Sequence, residues 1–253
     1  MSQTVDRALT VLASLAEGPA SLEDAARRIG VHKSTALRLL RTLEEHGLVH
    51  RQPDYRYRLG GRLFALAQAA LENLDVRQVA APHLAALNER CGHAVHLAAF
   101  DADSGEIRYV DKLEGHYPER LPTRIGRPAP PTATAVGKVL MADRTAELTG
   151  PARRLLAERL EYPAYTARSV RTADEYLAEL DRVRARGWAA DRAEHEEAVH
   201  CVAAPILGTD GRAIAACSVS APAVAASMDE LREQVPELLR TTAAVSAEYG
   251  ADG

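Results

Sequence analysis

Cysteine is scarce. Cys91, Cys201 and Cys217 are the only three in 253 residues, odd in number and far apart, so neither a disulfide framework nor a CxxC metal signature is present. No run approaches the about 18 apolar residues of a membrane span. The amino-terminal stretch carries Asp6 and Arg7 ahead of its apolar part and lacks a small-residue cleavage site. No secretory leader is read there, and a cytoplasmic location is expected. Glycine-rich phosphate loops are also missing. The chain has no GxGxxG, no GxxxxGKS/T and no GxSxG nucleophile elbow, so no cofactor is expected. Internal repeats and low-complexity segments are absent as well.

What remains is globular composition, 47% hydrophobic and 26% charged, long enough for one large or two medium domains. The net charge of −4 hides an asymmetry. Residues 27–62 hold 9 basic side chains against 3 acidic ones, while the chain beyond 62 is acidic. A local positive module on an acidic body suits an anion-binding front end, with a solvated basic face as the plainer alternative.

Apolar spacing at Val5, Ala8, Leu9, Leu12, Leu15 and Ala16 predicts a first helix, stopped by Gly18-Pro19. Ser21, with Asp24 three residues on, predicts the N-cap of a second helix over about 22–29, ended by Gly30. A third helix is expected over 33–46, with Ala36, Leu39, Leu40 and Leu43 buried. Two short helices about a tight turn form a helix-turn-helix. Residues 48–60 then read as a hairpin, with Tyr55, Tyr57 and Leu59 alternating against Arg56 and Arg58. Three helices and a hairpin make a winged helix, and 62–73 follow as an Ala-rich helix.

Beyond residue 75 the pattern changes. Helix 76–90, strands 93–101 and 107–113, an extended piece at 120–125 and a Pro-rich loop at 128–131 are expected. Helix 133–142, an irregular stretch to about 170 and helix 173–186 follow. Strands 188–193, 199–207 and 213–221 come next, the last two joined by the hairpin signal Gly208-Thr209-Asp210-Gly211. A final helix, 228–248, completes an α+β order with a mostly antiparallel sheet.

The third helix opens His32-Lys33-Ser34-Thr35, so its first turn is basic and hydroxylic. That suits a recognition helix entering a major groove by its N-terminal end. Lys33, Arg38 and Arg41 are candidates for phosphates or guanine edges, Ser34 and Thr35 for phosphate or base edges, and Arg56 and Arg58 for the backbone or minor groove. The plainer alternative, that Ser34 and Thr35 merely cap a helix, loses ground because the helix-turn-helix, basic first turn and basic hairpin occur in the expected order.

These motifs resemble a known family. Val5-Asp6-Arg7-Ala8-Leu9, Ala25-Ala26-Arg27-Arg28-Ile29-Gly30-Val31, Lys33-Ser34-Thr35 with Arg38-Leu39-Leu40, and Tyr57-Arg58-Leu59-Gly60 resemble the winged helix of IclR-type transcriptional regulators. The likeness continues through His96-Leu97, Tyr109-Val110-Asp111-Lys112, Gly126 to Pro130, Ala133 to Lys138, Arg184 to Trp188, Cys201 to Ile206 and Ser218-Val219-Ser220. One departure is Pro131-Thr132, where members often have a Leu-His pair. The resemblance implies a winged helix at 1–61, a linker helix at 62–74 and a GAF/profilin-like effector-binding domain at 75–250. It implies homodimers through the N-terminal half, often homotetramers, and binding to a palindromic operator on double-stranded DNA. It further implies a small organic or aromatic carboxylate effector held at positions corresponding to Leu121, Ala135, Val136, Asp191, Cys201, Ser218 and Ser220, and repression of a catabolic or metabolic operon.

The residues offer some support of their own. Ala216, Ser218 and Ser220 share one strand face, Cys201 shares another with Val199 and Ala203, and Thr132 and Thr134 sit at a helix N-terminus. Taken alone they favour hydroxyls satisfied within the sheet and a small core cysteine. The resemblance moves the reading to a pocket. No metal is expected: His93 and His96 fall on opposite strand faces, as do His200 and Cys201. Glu194-His195-Glu196-Glu197 reads as a solvated acidic loop. The rival class is a small-molecule enzyme that uses an N-terminal winged helix to dimerise, which would need Cys201 paired with His195 or His200 as its base.

Overall fold

The computed structural model describes residues 3–66, 75–101 and 104–251. They form two units, Met1–Leu74 and Asp75–Gly253.

In the first unit, α1 (Gln3–Ala16), α2 (Leu22–Arg28) and α3 (Lys33–Glu45) are followed by β1 (Val49–Arg51) and β2 (Tyr57–Leu59). Ser21 and Asp24 form a reciprocal capping box at the start of α2. Val11, Leu15, Ala25, Leu40, Leu43, Val49 and Tyr57 close one small core. Val49 pairs with Leu59 and Arg51 with Tyr57 across the hairpin. Two expectations need correction. Val5 and Leu9 do not belong to the buried face of α1; they are 57% and 60% exposed, because the core lies on the Val11 and Leu15 side. Tyr55 does not alternate inward with Tyr57. It sits in the turn at φ 63 and is 70% exposed. Residues 62–66 are helical, and the rest of the expected linker helix lies outside the described residues.

The second unit holds α4 (Val76–Cys91), β3 (Ala94–Phe100), β4 (Ile107–Leu113), α5 (Ala135–Arg144), α6 (Gly150–Glu158), α7 (Ala173–Arg186), β5 (Ala189–Arg192), β6 (Val199–Leu207), β7 (Ala213–Pro222), α8 (Met228–Glu233) and α9 (Val235–Tyr249). The strands form one antiparallel sheet in the order β4-β3-β7-β6-β5. Helices cover both faces. Leu84 and Leu87 of α4 and Leu238 and Val245 of α9 pack on Val202, Ile206, Cys217 and Val219. Val139 and Leu140 of α5 and Tyr176 and Leu180 of α7 pack on Ala98, Ala203 and Ala216. Both faces are apolar, so the strands lack a clean polar alternation. Ordinary alternation lets β3 serve the first core with Val95 and Leu97 and the second with Ala98, while a register shift opposite Leu97 and Ala98 leaves Val110 of β4 as the extra residue.

Three boundaries differ from the sequence expectation. The helix expected at 133 begins at Ala135, because Thr134 is its N-cap. The stretch expected to be irregular contains α6, whose Gly150-Pro151 start is a helix opening rather than a break. The final helix is two: Gln234 ends α8, and Pro236 sits in the first turn of α9.

Candidate functional sites

In α3 the buried residues Ala36, Leu39, Leu40 and Leu43 define the inner face. At about 100° per residue, Ser34, Arg38 and Arg41 fall together on the opposite face. Arg38 and Arg41 are exposed. Lys33 flanks this face and is ion-paired with Glu23 of α2. Thr35 lies on the other flank, half-buried, its N–H donating to His32 O at 2.9 Å. The N-cap is His32, not either hydroxyl residue: its Nδ1 accepts from Ser34 N and stands 3.0 Å from Ser34 Oγ. On the hairpin, Arg56 and Arg58 flank buried Tyr57 and are exposed. Arg56 donates to Pro19 O and Arg58 to Leu59 O at 3.1 Å. At the tip, Arg51 lies over the Tyr55 ring, 4.8 Å from its centroid. The seven candidate DNA-contact residues thus divide. Ser34, Arg38 and Arg41 share one face, Lys33 and Thr35 flank it, and Arg56 and Arg58 lie on the wing.

In the second unit, Leu121, Ala135, Val136, Asp191, Cys201, Ser218 and Ser220 all line one cavity of about 290 Å³. Strand register explains the convergence. Asp191 opposes Cys201 and Cys201 opposes Ser220, a row of polar side chains across three strands. Ser218 lies one step further along, opposite His96. Above the row, α5 points its N-terminus into the cavity. Thr134 Oγ1 accepts from Gly137 N at 3.1 Å and donates to Pro130 O at 2.8 Å. Ala135 and Val136 line the cavity at the first turn of α5, where N–H groups lack intrahelical carbonyl partners. Thr132 is not part of the site; its hydroxyl donates to Glu161 O at 3.2 Å.

Burial sets the proton states. Removal from water pushes Asp191 up to about 7, against the pull of Lys138 and of the Glu194 N–H, which Asp191 Oδ1 accepts at 2.7 Å. Burial, with Asp191 beside it, holds the Cys201 thiol far above its ordinary value, so a thiolate nucleophile is disfavoured. His96 is pushed down to about 3 by burial and by Lys112, and is a neutral imidazole. Its Nε2 is 2.7 Å from Thr123 Oγ1 and its Nδ1 is 3.3 Å from Ser220 Oγ. Lys112 reaches over to donate to Leu121 O at 2.8 Å and Thr123 O at 3.0 Å, fixing the segment that roofs the cavity. Arg127, Tyr165 and His195 also line the cavity, and the Tyr165 and His195 rings meet edge to face at 4.9 Å.

Sequence reasoning misses His96, Tyr109, Thr123 and Arg127 as lining residues. The signal for His96 is its register with Ser218, which exists only once β3 is known to pair with β7. The expectation of a solvated acidic loop at 194–197 also needs correction at Glu194. This residue is buried and clasps fully buried Lys138, with both carboxylate oxygens 2.8 Å from Nζ. Ser169 Oγ and Thr166 Oγ1 hold the same loop by donating to Glu194 O and Ala193 O, both at 2.7 Å. Among the described residues no group of three or more His, Cys, Asp or Glu side chains could hold a metal ion. His93 bonds with Tyr117 at 2.6 Å, away from His96. No helix among the described residues is long and apolar enough to cross a membrane.

A helix-turn-helix with a basic wing, and a sheet domain enclosing a small polar cavity, together define a DNA-binding transcriptional regulator. Comparison with known proteins agrees. Residues 4–53 match the IclR helix-turn-helix domain and residues 68–247 match the bacterial transcriptional regulator IclR C-terminal domain. The chain belongs to the IclR family of bacterial transcriptional regulators. It is similar to the HTH-type transcriptional regulator XynR of Escherichia coli K12, with 36% identity over 222 residues, 86% of this chain and 85% of the relative. KdgR of the same strain is 33% identical over 230 residues, 90% of this chain and 85% of the relative. Among solved structures, the Agrobacterium tumefaciens repressor BlcR superposes with a TM-score of 0.83 at 27% identity, covering 100% of this chain and 99% of that one. These relatives are regulators, and the chain is a transcriptional regulator rather than an enzyme.

Proposed function

We propose that this regulator is a repressor of a catabolic or metabolic operon, released by a small organic or aromatic carboxylate. The observation that carries the reading is the convergence of an open helix N-terminus with the Ser220–Cys201–Asp191 row in one cavity of about 290 Å³. The carboxylate accepts from the Ala135 and Val136 N–H groups and from the Ser218 and Ser220 hydroxyls. Leu121, Tyr109 and Val136 supply apolar walls for the carbon skeleton. Asp191 at the far end, held up to about 7, accepts from a ligand hydroxyl when ionised and donates to a ligand oxygen when protonated. The relatives named as repressors, among them the transcriptional repressor IclR of Escherichia coli K12 at 26% identity over 251 residues, support the sign of regulation.

On DNA, Ser34, Arg38 and Arg41 face the base edges, while Lys33, Thr35, Arg56 and Arg58 take phosphates. The exposed apolar side chains Val5 and Leu9 on α1 favour dimers through the N-terminal unit. A two-fold dimer reads a palindromic operator with half-sites about one DNA turn apart. Effector binding then shifts the population between arrangements that fit and do not fit that spacing.

The test has two arms on the full-length protein. Gel shifts with the intergenic DNA upstream of its own gene should show specific binding that weakens as salt rises. A melting screen over small carboxylic acids should find at least one that raises Tm and releases the DNA. Absence of specific DNA binding, or a DNA-releasing acid whose effect on the DNA complex survives Ser220→Val unchanged, overturns the reading.

A further inference from the structure

A second cavity, of about 540 Å³, lies on the outer side of the Pro-rich segment and belongs to neither the DNA face nor the polar row. Its floor is Met141 of α5 and Ile107 of β4, and its far side is Ala152, Leu155 and Leu156 of α6. Leu155 is 50% exposed, so its apolar surface meets water there. The near wall, Pro128 to Pro131, offers almost no hydrogen-bond donors. Its prolines have no N–H, and the one amide proton, on Ala129, is taken by Ile107 O at 2.7 Å. Such a wall suits hydrocarbon and nothing that needs to be hydrogen-bonded along its length.

The rim carries the opposite chemistry. Arg144 and Arg159 both border the cavity. The Arg144 guanidinium stacks on Phe100 at 4.8 Å from the ring centroid. Neither arginine has an ion-pair partner among the described residues. Their neighbours differ: Arg153 pairs with Asp181, and Arg154 with Glu158 and Asp174. The one acid at the rim among the described residues, Glu106, is engaged by Arg108 at 2.5 Å. An apolar trough bordered by two guanidinium groups without ion-pair partners among the described residues is complementary to an amphipathic anion: a carboxylate head and a hydrocarbon body.

We infer that this trough is a second ligand site, specific for medium-chain or similarly apolar carboxylates and distinct from the smaller polar cavity. Pro128 and Pro130 line both cavities and form the partition between them. The site does not depend on what the first cavity binds.

The test is calorimetric titration of the full-length protein with octanoate, with octan-1-ol as its uncharged twin. Octanoate is expected to bind at one site per chain. Arg144→Gln and Arg159→Gln should each weaken it about tenfold by removing a charged hydrogen-bond donor. Octanol should bind more weakly and ignore both changes. Ala152→Phe, which fills the trough, should abolish binding, with Leu155→Gln as a milder variant should the first not fold. Ser220→Val, in the other cavity, should leave octanoate binding unchanged. Failure of octanoate to bind overturns the inference. So does loss of binding at Ser220→Val with none at Arg144→Gln and Arg159→Gln, which would put the carboxylate in the first cavity. Equal, arginine-independent binding of octanol would make the trough a nonspecific apolar surface and overturn it too. Sedimentation that shows Ala152→Phe dissociating an assembly, with no octanoate site in the parent, would make the trough a contact between copies of the chain.

Discussion

Lys138→Met isolates the energetics of the buried Lys138–Glu194 ion pair. Lys138 is fully buried, and both of its contacts to Glu194 are 2.8 Å. Removing the ammonium leaves a carboxylate in a place with little water. The only other donor to its oxygens among the described residues is the Arg192 N–H, at a weak 3.4 Å. Breaking one side of such a pair costs about 3–5 kcal/mol. For a unit of this size, at about 2–4 °C per kcal/mol, Tm should fall by about 6–20 °C. Trp188 is the chain's single tryptophan and packs against the core of the second unit, so its fluorescence reports that unit alone. Glu194→Gln should also destabilise. The double variant should recover at least half of the loss, because it leaves no uncompensated charge. A Tm drop under about 2 °C for Lys138→Met, or a double variant as unstable as the summed singles, refutes the reasoning.

Arg38→Ala should weaken operator binding by about 1–3 kcal/mol and relax base preference, whereas Lys33→Ala, already paired with Glu23, should cost less; competition gel shifts distinguish them. Asp191 is raised to about 7 from an ordinary 3.8, so between those values the unfolded chain is ionised there and the folded one protonated. Its contribution to stability therefore declines as pH rises from about 4 to 7, then levels off. Asp191→Asn should flatten urea-denaturation stability across that window, and an unchanged pH profile would reject the assignment. Gly137→Ala places a Cβ 2.7 Å from both Pro130 O and Pro131 Cα, backbone that cannot swing aside, so it should cost about 1–3 kcal/mol in chemical denaturation despite the better helix propensity of alanine. Thr134→Ala removes the N-cap of α5 and should lower stability by about 0.5–2 kcal/mol in the same assay.

Elements with strong local chemistry are legible in the amino-acid order alone. The Ser21–Asp24 box, the Ala36, Leu39, Leu40 and Leu43 stripe and the Gly208 to Gly211 turn each carry their signal within a few residues. Elements whose signal is ambiguous locally are not. Gly150-Pro151 reads as a break in one context and a helix start in another, and only packing of α6 near α7 chooses. On α1 the run of apolar residues is wider than the face the core can accept, so spacing alone assigns Val5 and Leu9 inward.

The sequence by itself determined a basic helix-turn-helix front end and an α+β second half, because helix periodicity, caps and charge are short-range properties. Only the tertiary structure decided that Ser220, Cys201 and Asp191 form a row, that neutral His96 joins it, and that Glu194 turns inward to meet Lys138. Those relations depend on which strands are neighbours and on how completely water is excluded. Both are settled by contacts between residues far apart in the chain, as between Lys138 and Glu194.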